Sequence, residues 1–156
     1  LAVALRHEKG FTKEDFARSH PGGALGRRLL THVRDIMRAG SDVPSVREGT
    51  SVLDAVREIT KKHIGMTAVV DNEDRVTGIF TEGDLRRLIE KRGDIRAIKI
   101  DDVMTKTPTT IGQDEMAATA AKILEKTLKN QLLVVDDKGH LIGALHMHDL
   151  MSAKVI

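Results

Sequence analysis

The sequence predicts an α+β fold made of two copies of one unit, each a small β-sheet with flanking helices, the pair packed with pseudo-twofold symmetry. Three observations lead there. The stretch "GIFTEGDLRR" at 78–87 returns at 143–152 as "GALHMHDLMS", with the Gly, a hydrophobic pair and Asp-Leu in the same places. "VRDIM" (33–37) lies over "IDDVM" (100–104), and "TAVVDNEDRVTGIF" (67–80) over "LLVVDDKGHLIGAL" (132–145), in the same order; repetition of this kind sets an architecture before any single element does. Finally, a unit of roughly 55 residues buries too little surface to stand alone, so two copies must share a core and leave a groove at their join.

Each copy reads as a short helix ending in Met, a loop through Pro44 or Pro108, a helix, a hairpin and a last helix. In the first, Val52, Ala55, Val56 and Ile59 recur at helical spacing, with Thr50 or Ser51 as cap and Gly65 beyond the end. In the second, Asp114 is the expected cap of a helix whose apolar face is Met116, Ala120, Ile123 and Leu124. Residues 67–70 and 132–135 are near-continuous apolar strands. The polar turns Asn72-Glu73-Asp74 and Asp137-Lys138-Gly139 then lead into a second apolar strand, which predicts a hairpin.

Composition narrows the function. Of 156 residues, 31% are charged and 40% hydrophobic, enough for a core. Aromatics are 2%, with no Trp or Tyr, so there is little on which single-stranded nucleic acid can stack. The net charge is +2, with bases and acids interleaved; no basic stripe marks a nucleic-acid face. The absence of Cys excludes disulfides and thiol chemistry and fits a reducing, cytoplasmic setting. No apolar run approaches the roughly 18 residues of a membrane span, and no signal peptide is visible. The opening "LAVALRHEKG" resembles the end of an amphipathic helix closed by Gly10, so the chain is expected to be cut from something longer.

The repeated motif carries the chemistry. Thr81 followed by Asp84, just before Leu85, Leu88 and Ile89, resembles a capping box with Asp in place of Glu. The same geometry suits a ligand: a helix N-terminus attracts phosphate, and a carboxylate accepts from ribose hydroxyls. In the second copy the cap position is His146, expected to cap poorly, yet Asp149 remains, which tilts the balance toward ligand contact. His140, His146 and His148 lack a defined metal-ligand spacing, and surface histidines are expected, with no metal. "HPGG" at 20–23 lacks the Lys-Ser/Thr ending of a phosphate-binding P-loop and reads as a turn.

This order of elements, written twice over about 33–153, resembles a tandem CBS pair, or Bateman module. The resemblance implies a nucleotide held between the repeats, its phosphate and ribose on Thr81 and Asp84, with Asp149 matching one of those roles. His146 departs from the pattern, which weakens the case for ordinary adenylate binding there. The base would lie against the Pro loops and first strands: Val43, Pro44, Ser45, Thr107, Pro108, Thr109, Ala68 and Leu132.

The first residues add a second resemblance. "GFTKEDFARSHPGGALGRRLL" (10–30), in which Thr12 caps a short helix that the His20-Pro21 step ends, is similar to the junction between sugar-isomerase (SIS) and CBS domains in bacterial D-arabinose 5-phosphate isomerases. That family interconverts ribulose 5-phosphate and arabinose 5-phosphate, toward the sugar Kdo of lipopolysaccharide and capsule. The resemblance implies a division into an isomerase-domain remnant and linker (1–30), CBS repeat 1 (31–94) and CBS repeat 2 (95–156). His20 would be a catalytic histidine of the parent, inactive here without its upstream partners. No cofactor is required. The expected regulatory nucleotide is CMP-Kdo, a carboxylate-bearing nucleotide sugar whose acid His146 or a nearby Arg would read, with adenine nucleotides as the alternative; the other readings of the pair are a purely structural oligomerisation module without ligand and a free-standing nucleotide sensor. The expected partners are the isomerase domain of the same chain and a second CBS pair, in a homodimer carried by the helix faces Val52–Ile59 and Met116–Leu124.

Overall fold

A computed structural model describes residues 30–156; the expectations for the first helix, Thr12, the His20-Pro21 step and His20 lie outside the described residues. The first sheet has the order β1 (Ser45–Arg47), β2 (Met66–Val70), β3 (Val76–Thr81), β4 (Thr105–Lys106), and the second the order β5 (Thr110–Ile111), β6 (Gln131–Val135), β7 (Leu141–His146). In both, the first strand runs parallel to the second and a hairpin supplies the antiparallel pair. The helices are α1 (Val33–Ile36), α2 (Val52–Lys62), α3 (Glu82–Arg92), α4 (Ala117–Thr127) and α5 (Met147–Ser152).

The hairpins follow from their Asp residues. Asp71 Oδ1 accepts the amides of Glu73 and Arg75 at 2.8 and 3.0 Å, and Asp136 Oδ1 those of Lys138 and His140, both at 2.9 Å. These side chains mimic a backbone turn, and the donated hydrogen bonds hold both carboxyls below the usual Asp range, led by the Arg75 and His140 amides respectively. The position that needs a left-handed backbone is Asp74 in one hairpin and Gly139 in the other, at φ 65° and 86°. The Asp of "VVD" therefore builds a turn.

Each sheet carries its helices on one face and meets the other sheet with the opposite face. Val69 and Phe80 pack under Val52, Ala55, Ile59 and Leu88; Leu132, Val134 and Leu145 pack under Ala117, Ala120, Leu124 and Leu150. Between the sheets lie Val43, Ile64, Met66, Ala68, Leu133 and Ala144. The helix faces expected to carry a homodimer are thus the inward faces: Val52, Ala55 and Ile59, and Ala117, Ala120 and Leu124, are all buried within their own repeats. They are unavailable to a second chain.

The segment before each repeat crosses to the other one. Val33 joins the core of repeat 2, whereas Ile98 and Ile100 join that of repeat 1. The Ala117 amide donates to the Thr31 carbonyl at 2.9 Å, and reciprocally the Val52 amide donates to the Ile98 carbonyl at 2.9 Å. Two local expectations change as a result. The start of α4 takes its partner from the crossing strand, with Met116 as an N-cap that makes no side-chain bond, while Asp114 pairs with Arg34 instead. The segment Ile100–Asp102 is a single 3-10 turn, not an α-helix. Of the two caps open for α2, Ser51 is used, accepting from the Asp54 amide at 3.2 Å. That helix closes at His63, in the left-handed region at φ 65°, two residues ahead of Gly65.

The exchange also explains the glycine of the repeated motif. A Cβ on Gly78 would run into the Met104 side chain, 2.8 Å from Cγ, and one on Gly143 would lie 2.6 Å from Met37 Sδ and 2.9 Å from the Arg38 carbonyl. The Met that ends each "VRDIM"-type segment is seated on the glycine of the other repeat's hairpin. Met and Gly recur together because they are one contact.

Candidate functional site

β3 delivers Thr81 to the N-cap of α3. Its Oγ1 accepts the Asp84 amide at 3.1 Å, and Asp84 Oδ2 accepts the Thr81 amide at 3.0 Å, a complete capping box. Asp84 Oδ1 takes a 2.7 Å bond from the exposed Arg87. Among the described residues the Thr81 O–H donates to no partner.

The second copy caps in the same way. His146 Nδ1 accepts the His148 amide at 3.0 Å and Asp149 Oδ2 accepts the His146 amide at 2.9 Å. The expectation that His146 caps poorly is corrected: a neutral imidazole with its proton on Nε2 offers Nδ1 as acceptor. Capping alone therefore accounts for the return of the Asp. Burial, then the neighbouring His148, and more weakly Arg38, lower the His146 pKa from its ordinary 6.5 against the pull of Asp149. Since the folded value lies below the unfolded one, the stability this cap contributes is fully present above about pH 6.5 and is lost as pH falls from there through the lower folded value. NMR titration of the imidazoles should give His146 a midpoint below 6.5; a midpoint at or above that value would contradict the geometry.

What distinguishes the first copy is its surroundings. Thr81 and Asp84 open onto a cavity of about 150 Å³ between the repeats, whose other walls are Ile79, Thr105, Thr107, Pro108, Thr109, Thr127, Lys129, Gln131 and Leu132. Six residues named from sequence thus line one space: Thr81, Asp84, Thr107, Pro108, Thr109 and Leu132. Ile79, Thr105, Thr127, Lys129 and Gln131 were not foreseen. Gln131 had a signal, since it lies opposite His146 in the β6–β7 register; Thr105, Thr127 and Lys129 arrive from the strand exchange and from the end of α4, where no local pattern marks them.

The remaining candidates are elsewhere. Ala68 and Val43 lie in the core between the sheets. Pro44 is buried, its carbonyl accepting the Ala68 amide at 3.0 Å. The Ser45 amide donates to Glu58 Oε2 at 3.0 Å, and Glu58 also pairs with Lys62 at 2.8 Å. Val43 and Ser45 border a different cavity, with Gly40, Val70, Asp74, Leu141 and Ile142.

Asp149 is already engaged. Arg38 reaches it with Nη2 at 3.1 Å and Nε at 3.3 Å, where both partners are mostly buried. The bridge from Arg38 to Ala144 repeats the pairing of Thr105 with Ile79, so a guanidinium occupies the second half-site where the first has a threonine. Across from Thr81 lies Met66, whereas Gln131 lies across from His146. His146 and His148 stack with centroids 4.6 Å apart, while His140 is held by Asp136 at 2.9 Å. Among the described residues no group of three or more His, Cys, Asp or Glu converges as a metal site, and no helix is long and apolar enough to cross a membrane.

Comparison with known proteins follows the same division. The sequence matches the CBS domain family twice, over residues 33–91 and 100–156. The chain belongs to the CBS-domain family, as a tandem pair. It is 49% identical over all 156 residues to the arabinose 5-phosphate isomerase KdsD of Pseudomonas aeruginosa and 46% identical over the same length to that of Escherichia coli K12. In each case it covers 100% of this chain and 48% or 47% of the relative, so this CBS pair spans about half the length of the curated relatives it matches. Among solved structures, CBSX2 in complex with AMP superposes with a TM-score of 0.70 at 26% identity, covering 79% of this chain and 95% of that one.

Proposed function

We propose that this CBS pair is the regulatory, nucleotide-binding part of an arabinose 5-phosphate isomerase, and that the ligand sits in the Thr81–Asp84 cavity. The observation that carries this reading is the convergence of a capping-box Thr and Asp with Lys129 and a wall of threonines at the join of the repeats. The Thr81 hydroxyl and Lys129, both on the cavity wall, suit a phosphate, and the Asp84 carboxylate suits a ribose diol once Arg87 swings away. At about 150 Å³ the cavity is below the roughly 300–1,000 Å³ of drug-sized pockets, so a mononucleotide would fill it and project from its mouth. An adenine nucleotide is supported by the AMP complex of the CBSX2 neighbour.

One observation favours CMP-Kdo as the second reading. Asp84 also borders an adjoining cavity of about 270 Å³ whose walls include Arg87, Lys91 and Arg92, a cationic place for a sugar carboxylate. The isomerase domain in the same chain is the proposed partner. A homodimer, where it forms, must use a surface other than the buried faces of α2 and α4. Calorimetric titration with AMP and CMP-Kdo tests the reading. One site per chain is expected, because Arg38 fills the second half-site; no binding at millimolar nucleotide would leave a purely structural module.

A further inference from the structure

The two half-sites of the groove share one plan, and two cations separate them. Helices α2 and α4 are both 11 residues long and both close on a left-handed residue, His63 and Leu128. Lys62 and Thr127 therefore hold the same last position, and Glu58 matches Ile123. Arg38 pairs with Ala144 as Thr105 pairs with Ile79. Thr105 and Thr127 both line the Thr81–Asp84 cavity. At the corresponding places the second half-site has Arg38 and Lys62, two long cations for two short hydroxyls.

Both cations are already spent on carboxylates of this chain. Arg38 holds Asp149 through Nη2 at 3.1 Å and Nε at 3.3 Å. Lys62 holds Glu58 at 2.8 Å, with both side chains largely buried, and its Nζ lies 3.4 Å from the Val43 carbonyl. Glu58 Oε2 also accepts the Ser45 amide at 3.0 Å, so this pair fastens the Pro44 loop to α2. Burial alone would raise the Glu58 pKa, but the bonds from Lys62 and the Ser45 amide outweigh it and hold the carboxyl below its ordinary value. The pair is ionised at neutral pH.

The first half-site has an ion pair too, Asp84 with Arg87, but Arg87 is 70% exposed whereas Arg38 is 32% exposed. An exposed pair is screened by solvent and opens at little cost. Parting a buried pair leaves an uncompensated charge and costs far more. A ligand can displace Arg87 from Asp84; it cannot displace Arg38 from Asp149 on the same terms.

Resting on the proposed nucleotide site, we infer that the second half-site is closed by its own ion pairs, with Arg38 on Asp149 and Lys62 on Glu58 acting as internal ligands in place of a nucleotide. Thr105 is by the same geometry the residue that keeps the first half-site open, since it stands where a longer cation would reach Asp84.

The test is calorimetry of the whole chain with AMP and with CMP-Kdo, alongside thermal melts. Wild type should bind one nucleotide per chain. The triple variant Arg38→Thr/Glu58→Ile/Lys62→Thr, which copies Thr105, Ile123 and Thr127 to their equivalents, should bind two. Thr105→Arg, at an exposed strand position, should weaken the wild-type site about tenfold or more, because the new guanidinium competes for the Asp84 carboxylate. Where the triple variant does not melt cooperatively, Thr105→Arg decides alone. A folded triple variant that binds one nucleotide, a wild type that binds two, or a Thr105→Arg chain that binds like wild type overturns the inference and leaves the nucleotide site standing. A wild type that binds none while the triple variant binds one overturns the Thr81–Asp84 reading and leaves the closure standing; no binding by any of the chains overturns both.

Discussion

Gly143→Ala should destabilise the chain by about 1–3 kcal/mol, the usual cost of forcing a methyl into a packed site. At this size that lowers the melting temperature by roughly 3–10 °C. The new Cβ would face Met37 Sδ at 2.6 Å and the Arg38 carbonyl at 2.9 Å. A side chain can turn away, but the carbonyl is tied down, since the Ala144 amide donates to it at 3.1 Å. Gly78→Ala meets only the flexible Met104 side chain among its nearest atoms, so its cost should be smaller. Gly112→Ala, where a Cβ has nothing within 4 Å, should stay within about 0.5 kcal/mol of wild type. Urea denaturation of the three variants checks the order, and equal costs at 143 and 112 would contradict the strand exchange.

Asp84→Ala should weaken nucleotide binding by about 1.5–3 kcal/mol, roughly ten- to 150-fold, the size of hydrogen bonds to a charged group. The same change removes half of a capping box and should cost about 1 kcal/mol of stability, so the binding loss needs a control that removes only a cap. Asp149→Ala is that control. It breaks the matching box on α5, but its carboxylate is already held by Arg38. It should lose stability at least as much while nucleotide affinity stays within about twofold of wild type. Parallel calorimetric titrations separate the cases. Equal binding losses would show that ligand contact is shared by both half-sites, and no loss in either would leave Thr81 and Asp84 as caps alone.

Much of this was legible because it is local. The hairpins follow from Asp71 and Asp136 reaching amides two and four residues away, a pattern written within one turn. The inward face of α2 follows from its spacing. Thr81 and Asp84 were found because cap and ligand site use the same residues, which is also why sequence left the two roles unseparated. What sequence missed is long-range. Arg38 gave no sign that it would reach Asp149, since that pairing depends on the first segment crossing to the second sheet. Thr105, Thr127 and Lys129 join the cavity only through the packing of the repeats. His146 was misjudged as a cap because its function rests on a neutral imidazole, which burial favours over the cation, with Nδ1 left to accept the His148 amide. Pro44 and Pro108 looked equivalent in sequence, yet only Pro108 lines the candidate site.

The proposed sensing of a nucleotide on behalf of an isomerase is tested by the ribulose 5-phosphate conversion rate of the full-length enzyme as nucleotide is titrated in. Saturating the Thr81–Asp84 cavity should shift substrate affinity or rate by about 5- to 150-fold, a coupling of roughly 1–3 kcal/mol. The full-length Asp84→Ala enzyme should keep its basal rate and respond only at proportionally higher nucleotide. An enzyme whose rate and substrate affinity stay flat while calorimetry shows the cavity filled would rule out a regulatory role for this pair.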